Sequence, residues 1–235
     1  MENQNSGKGE PISCFTQQPF VLASFSPRRR QLLKMLGLNF EVIPANVRED
    51  VLDGESPREH AARLATAKAI AVGKTVPNCW IIGADTIVVI DGVILGKPKS
   101  EEDAFLMLQK LSGREHNVVT GFCVYHHNTN QSRNGVITSL VTIKKLDTSE
   151  IKAYIKTGEP FDKAGAYAIQ GIGMFMIKKI SGSHTNVIGL PVCEVIDTLK
   201  SEDCSITPNP PLDEKSPPII KFTVAGPSPN PEKLP

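Results

Sequence analysis

Several residues in this 235-residue chain sit where ordinary structural reasons explain them poorly, and together they would suit phosphoryl chemistry. In LASFSPRRRQLLKMLG, residues 22–37, Ser26 reads as a helix N-cap, with Pro27 at the first helical position and Gly37 as the stop. Arg28, Arg29 and Arg30 then occupy the first turn, facing free N–H groups and the positive end of the helix dipole, which costs about 0.3–1 kcal/mol each. An anion over the helix end removes the conflict, because backbone, dipole and guanidinium forks then act in one direction, with Ser24 and Ser26 adding hydroxyls. A solvated basic turn and a short localisation-type cluster are the competing readings of SPRRR.

Asp85 is the one charge in the apolar run IIGADTIVVI. A carboxylate buried there needs an ion pair, hydrogen bonds or a metal, so it reads either as a group held for metal or proton work or as a cap at a kink marked by Gly83 and Ala84. Lys68 falls on the apolar face of a helical stretch, and Lys97 follows a hairpin strand in GKP. Each alone reads as a snorkelling surface lysine; with the arginines and Asp85 they supply cations for phosphate oxygens and a carboxylate for metal or water. DKAGAYAIQG, residues 162–171, is rich in small residues that let backbone approach a ligand. Its amide, Gln170, can offer donor and acceptor to a base edge, or can simply face water at a strand end.

The elements that must hold these groups alternate along the chain. Patterning predicts a strand over 20–23, a helix over 27–36, a strand over 39–44 and a helix over 56–72, whose inner face carries Ala61, Leu64, Ala65, Lys68 and Ala69. WIIGADTIVVIDGVILG follows as a hairpin around Asp91-Gly92. A helix over 101–111, strands over 117–126 and 136–145, a helix over 148–157, β-runs near 166–170 and 174–180 and a last helix over 190–199 complete the series. This is an α/β pattern, and the hairpins imply a mixed sheet. Residues 1–18 are polar, and the stretch 201–235 holds half of the 18 prolines, so both read as extensions without packed structure.

Composition narrows the function. With 26 basic and 25 acidic residues the net charge is +1, which gives no general field for nucleic acid or an anionic membrane, so any anion site must be local. Five cysteines without CxxC-type spacing suggest neither a disulfide framework nor a zinc site, and the polar N-terminus and absence of a long apolar run predict a cytoplasmic protein. GxxxxGK[ST], GxGxxG with its acidic partner and GxSxG are all missing, which disfavours P-loop, Rossmann and serine-hydrolase chemistry.

Taken in order and spacing, LASFSPRRRQLL, FEVIPANVRED, GADTIVVIDGVILGKP, LQKLSGREHNVVTG, EPFDKAGAYAIQG and NVIGLP resemble the Maf family of nucleotide pyrophosphatases over residues 20–200. The resemblance implies a mixed, twisted central sheet flanked by helices, two lobes with a cleft, and a fold similar to inosine triphosphate pyrophosphatases. It implies cleavage of a nucleoside triphosphate between the α- and β-phosphates with a divalent cation, Mg²⁺ or Mn²⁺. Carried over by motif, the site residues are Ser24 and Arg29 for substrate, Glu49, Lys68 and Lys97 for catalysis, and Asp85 as proton acceptor, with Glu49 and Asp85 on the metal. Arg28, Thr86 and Gln170 match the positions that mark the branch acting on dTTP and UTP. A homodimer is implied by the family alone. Arg30 and Ala168 depart from the usual pattern without removing a catalytic group. A regulatory role in cell division or septum formation, and a nucleic-acid-binding module built on SPRRR, are the alternatives.

Overall fold

The computed structural model describes residues 20–202. The expected extension over 1–18 and nearly all of the expected tail over 201–235 lie outside the described residues.

Local chemistry sets the element boundaries. After β1 (Phe20–Leu22), helix α1 (Pro27–Met35) starts where the Ser26 hydroxyl accepts from the Arg29 N–H, with Pro27 in the first turn. The short β2 (Glu41–Val42) covers less than the expected 39–44. Helix α2 (Pro57–Gly73) opens with a capping box between Ser56 and Glu59, and its inner face buries Ala61, Leu64, Ala65, Lys68 and Ala69 as its periodicity predicts. Next come the long β3 (Trp80–Ile90) and β4 (Val93–Leu95), joined through Asp91 and Gly92, both at positive φ as a type I′ hairpin turn requires. Helix α3 (Glu101–Leu111), strands β5 (Glu115–His126) and β6 (Gln131–Ile143) and helix α4 (Thr148–Lys156) follow. The β-run expected near 166–170 is not a strand: Gly165 and Ala166 both have positive φ and turn the chain through 3₁₀ segments at Ala164–Ala166 and Ile172–Met176. Only β7 (Ile177–Ser181) pairs, and short α5 (His184–Ile188) and α6 (Val192–Ser201) end the domain.

The sheet has seven strands in the order β2-β1-β3-β5-β6-β7, with β4 also on β3. The β2–β1–β3 pairs are parallel and the others antiparallel, so the sheet is mixed as expected. Strand β5 takes one edge of β3 over almost its whole length. On the other edge β1 pairs with Trp80–Ile82 and β4 with Val88–Ile90, which leaves residues 83–87 between them without a strand partner. That gap divides the two lobes. On the face away from α2, Leu22, Leu33, Trp80, Ile82, Leu190 and Leu199 pack one cluster and Val88, Leu95, Leu108, Leu111, Ile143 and Tyr154 a second, with smaller clusters under α2.

Helix α2 covers the reverse face of the sheet at unusually close range. A Cβ added at Gly83 would lie 2.2 Å from the Ala65 carbonyl oxygen, and one at Gly121 would lie 2.3 Å from that of Ala61. The two glycines therefore let helix backbone rest on strand backbone. Asp85 pairs with Gly121 across β3 and β5, so its side chain points to this same face, toward α2.

Candidate active site

A cleft of about 730 Å³ opens at the unpaired edge of β3, lined from the β1–α1 turn, the loop before α2, the Gly96-Lys97 turn and the 162–170 segment. Its acidic centre is built from three elements. Lys68 reaches from α2 to place Nζ 2.6 Å from Asp85 Oδ1 on β3 and 2.6 Å from Glu49 Oε1 on the preceding loop. Lys68 and Asp85 are both buried, whereas Glu49 is half exposed. Burial raises the Glu49 pKa, but the Lys68 hydrogen bond and the charges of Lys68, Lys97 and Arg29 outweigh it, so its carboxyl titrates below the ordinary value. The Glu49 loop is clamped: Glu55 accepts from Arg63 Nε at 2.5 Å, from Arg63 Nη2 at 2.8 Å and from the Leu52 N–H, while Arg63 Nη2 also donates to the Asp50 carbonyl. These donors hold the Glu55 carboxyl well below the usual range, the Arg63 bonds foremost.

The opposite wall centres on Arg29, which is buried beneath the cleft floor. Nε donates to the Gly189 carbonyl at 2.6 Å, Nη1 to Ser24 Oγ and the Ala84 carbonyl at 3.0 Å each, and Nη2 to Thr86 Oγ1 at 2.8 Å. Four of the five guanidinium N–H groups are thus taken by protein acceptors. Burial lowers the Arg29 pKa, Asp85 opposes this, Arg28 adds to it and Glu49 opposes it. Thr86 Oγ1 also meets Thr120 Oγ1 at 2.9 Å and the Gly189 carbonyl at 3.1 Å, so its hydroxyl is engaged within the fold. Arg28 projects to the rim, where Nη1 donates to Asp162 Oδ2 at 3.2 Å across the cleft mouth. Lys97 and half-buried Gln170 line the cleft and make no hydrogen bond among the described side chains. Arg30 is exposed outside it, beside a separate shallow groove.

The chain from residue 19 to 202 matches the Maf-like protein family. The chain belongs to the Maf family. Among curated Maf relatives, a protein of Geotalea uraniireducens is 54% identical over 184 residues, covering 77% of this chain and 93% of that one, and is described as a dTTP/UTP pyrophosphatase. A protein of Geobacter sp. strain M21 with the same description is 51% identical over 180 residues, with 77% and 93% covered. One from Syntrophus aciditrophicus, also so described, is 47% identical, with 78% and 89% covered. Among solved structures, the Staphylococcus aureus Ham1 protein aligns with a TM-score of 0.47 and 17% identity over 78% of this chain and 99% of that one.

Every residue carried over from the Maf motifs, Ser24, Arg28, Arg29, Glu49, Lys68, Asp85, Thr86, Lys97 and Gln170, lines this one cleft. Their placement separates them by kind. Asp85, Glu49 and Lys68 form the ionic centre, while Ser24, Arg29 and Thr86 bond mainly to one another and to backbone. Sequence reasoning did not find Asp162, Lys163, His60 and Tyr167, which also line the cleft. Asp162, Lys163 and Tyr167 fall within the small-residue run DKAGAYAIQG, their one signal in the sequence, and His60 has none. No cluster of three or more His, Cys, Asp or Glu suited to a metal occurs among the described residues. Two carboxylate oxygens nevertheless converge on one point, already held by the Lys68 ammonium, and a hard cation such as Mg²⁺ commonly takes one or two carboxylates and completes its shell with substrate phosphate and water. Glu49 and Asp85 therefore fit the cation that the resemblance implies. No described helix is long and apolar enough to cross a membrane.

Proposed function

We propose that the chain hydrolyses dTTP and UTP to the nucleoside monophosphate and pyrophosphate. Its Maf relatives at about half identity over most of the chain carry that activity in their descriptions, and the cleft supplies the required groups in one place. The single observation that carries the reading is the Glu49–Lys68–Asp85 assembly at the open edge of β3.

Asp85 accepts the proton of the attacking water, and Lys68 fixes the orientation of its carboxylate through the 2.6 Å bond. Water adds at the α-phosphorus and the bond to the bridging oxygen breaks, with pyrophosphate leaving. Lys97, which makes no hydrogen bond or ion pair among the described residues, and Arg28, once its ion pair with Asp162 opens, neutralise triphosphate oxygens. Arg29 acts one layer below: by tying Ser24, the β3 edge and Gly189 together it fixes the floor on which the triphosphate rests. Gln170 offers its unpaired amide to the pyrimidine. Glu49 and Asp85 would hold the divalent cation, Mg²⁺ or Mn²⁺, which would screen the triphosphate and make the α-phosphorus more electrophilic. A cytoplasmic location suits a nucleotide-pool enzyme with the free cysteines Cys79, Cys123 and Cys193.

The test is a panel of nucleoside triphosphates with Mg²⁺ and separate detection of pyrophosphate and orthophosphate. Pyrophosphate release confined mainly to dTTP and UTP is expected. Orthophosphate release, or no turnover of any nucleotide, contradicts the proposal and returns weight to a binding role.

A further inference from the structure

One buried polar pair in the cleft wall has no part in the chemistry above. His116 Nε2 and the Tyr167 hydroxyl lie 2.6 Å apart, with the rings edge-on at 85° and their centroids 5.3 Å apart. Both residues are almost fully buried, and His116 Nδ1 has no hydrogen-bond partner among the described residues. An imidazole with one nitrogen stranded in an apolar core is an expensive way to fill space, since a phenylalanine would fill it without the unmet polar atom. Burial also keeps the imidazole neutral, its pKa pushed down to about 4.

The pair has a mechanical consequence. His116 stands near the start of β5, on the same face as Val118 and paired with Val141 of β6, and Tyr167 belongs to the irregular segment that carries Gln170. That segment enters through two residues at positive φ. Gly165 is packed so that a Cβ would meet Val88 Cγ1 at 2.9 Å, and Ala166 is a buried non-glycine at φ 60°. The Gly165 N–H donates to the Gly96 carbonyl, fastening the segment to the stretch after β4 that bears Lys97. Between Tyr167 and Gln170 the His116 bond ties the segment to the sheet, while the Tyr154 hydroxyl of α4 meets the Ala168 backbone from the other side.

We propose that His116 is a positioning residue for base recognition: its bond to Tyr167 fixes the Tyr167–Gln170 wall of the cleft and so sharpens discrimination of pyrimidine from purine nucleotides. This rests on the reading of the cleft as a dTTP/UTP site with Gln170 at the base. Tyr167 touches the cleft, whereas His116 acts only through it.

The experiment measures kcat and KM for dTTP and dGTP with the wild type, His116→Phe, Tyr167→Phe, the double variant and His116→Gln, with melting temperatures alongside. Each single phenylalanine variant should lower the dTTP-to-dGTP ratio of kcat/KM by about tenfold, mainly through a higher KM for dTTP, and the double variant should lose no more than either single. Glutamine, whose amide nitrogen reaches where Nε2 stood, should restore part of the ratio. Melting temperatures should not track the ratio, and the near-isosteric Tyr167→Phe decides the matter if His116→Phe folds poorly. An unchanged ratio in Tyr167→Phe, or losses that multiply in the double variant, overturns the proposal. A wild type inactive on dTTP fails the underlying reading instead, and this proposal falls with it.

Discussion

Lys68 Nζ lies 2.6 Å from Glu49 Oε1 and 2.6 Å from Asp85 Oδ1, so one ammonium joins the two carboxylates of the proposed site. The two arms differ in energy. Glu49 is half exposed and water can replace its partner, whereas Asp85 is buried and has no such recourse. Replacing Lys68 by methionine, of similar length and no charge, should therefore destabilise the fold by about 3–5 kcal/mol by stranding Asp85. Adding Asp85→Asn should recover most of that loss. Urea unfolding of the single and double variants checks this; a Lys68→Met protein as stable as the wild type contradicts the burial argument.

The close approach of α2 to the sheet makes a second prediction. A methyl group at Gly121 would stand 2.3 Å from the Ala61 carbonyl oxygen, and backbone offers no rotamer to move aside. Gly121→Ala should cost at least about 1–3 kcal/mol by overpacking. Because Lys68 rides on the helix that must shift, turnover should fall even in protein that remains folded. Thermal melting with activity measured below the transition separates the two effects.

Arg29 makes a third. As a floor-building residue it should matter to the fold without any nucleotide. Arg29→Lys keeps the charge but cannot serve Gly189, Ala84, Ser24 and Thr86 at once, so buried carbonyls lose donors at about 1–3 kcal/mol. Nucleotide-free melting should drop by several degrees. A variant with unchanged melting and raised KM would instead place Arg29 on phosphate, as its motif suggests.

These cases show what could be read in advance. The Ser26 cap, the Asp91-Gly92 hairpin and the buried stripe of α2 are written in neighbouring residues and appear as expected. The Arg29 arrangement is not local: its acceptors lie from 5 to 160 positions away, so the sequence showed three arginines on a first turn and could not say which was turned inward. AYAIQG reads as a β-run, and the positive φ at Ala166 that removes it from the sheet leaves no mark in residue type. The pairing of Arg28 with Asp162 was hidden for the same reason, being set by how the two lobes meet.

The buried imidazole gives a pH prediction. His116 titrates at about 4 in the folded chain against 6.5 when free, so between those values the unfolded chain binds a proton that the folded one refuses. Stability should consequently fall as pH drops from about 6.5 toward about 4 and be insensitive to this group above that window, with a full effect on the order of 3 kcal/mol. In urea unfolding at about pH 7 and about pH 4.5, His116→Phe should lose less stability than the wild type by roughly 2–3 kcal/mol. Equal losses contradict a buried neutral imidazole.

In the proposed mechanism, water activated at Asp85 attacks the α-phosphorus. Hydrolysis of dTTP in ¹⁸O-labelled water by the wild type and by Asp85→Asn tests it most directly. Label is expected in dTMP and not in pyrophosphate, with turnover of the folded variant reduced by about a thousandfold or more. Label in pyrophosphate, or a variant turning over near the wild-type rate, would contradict it.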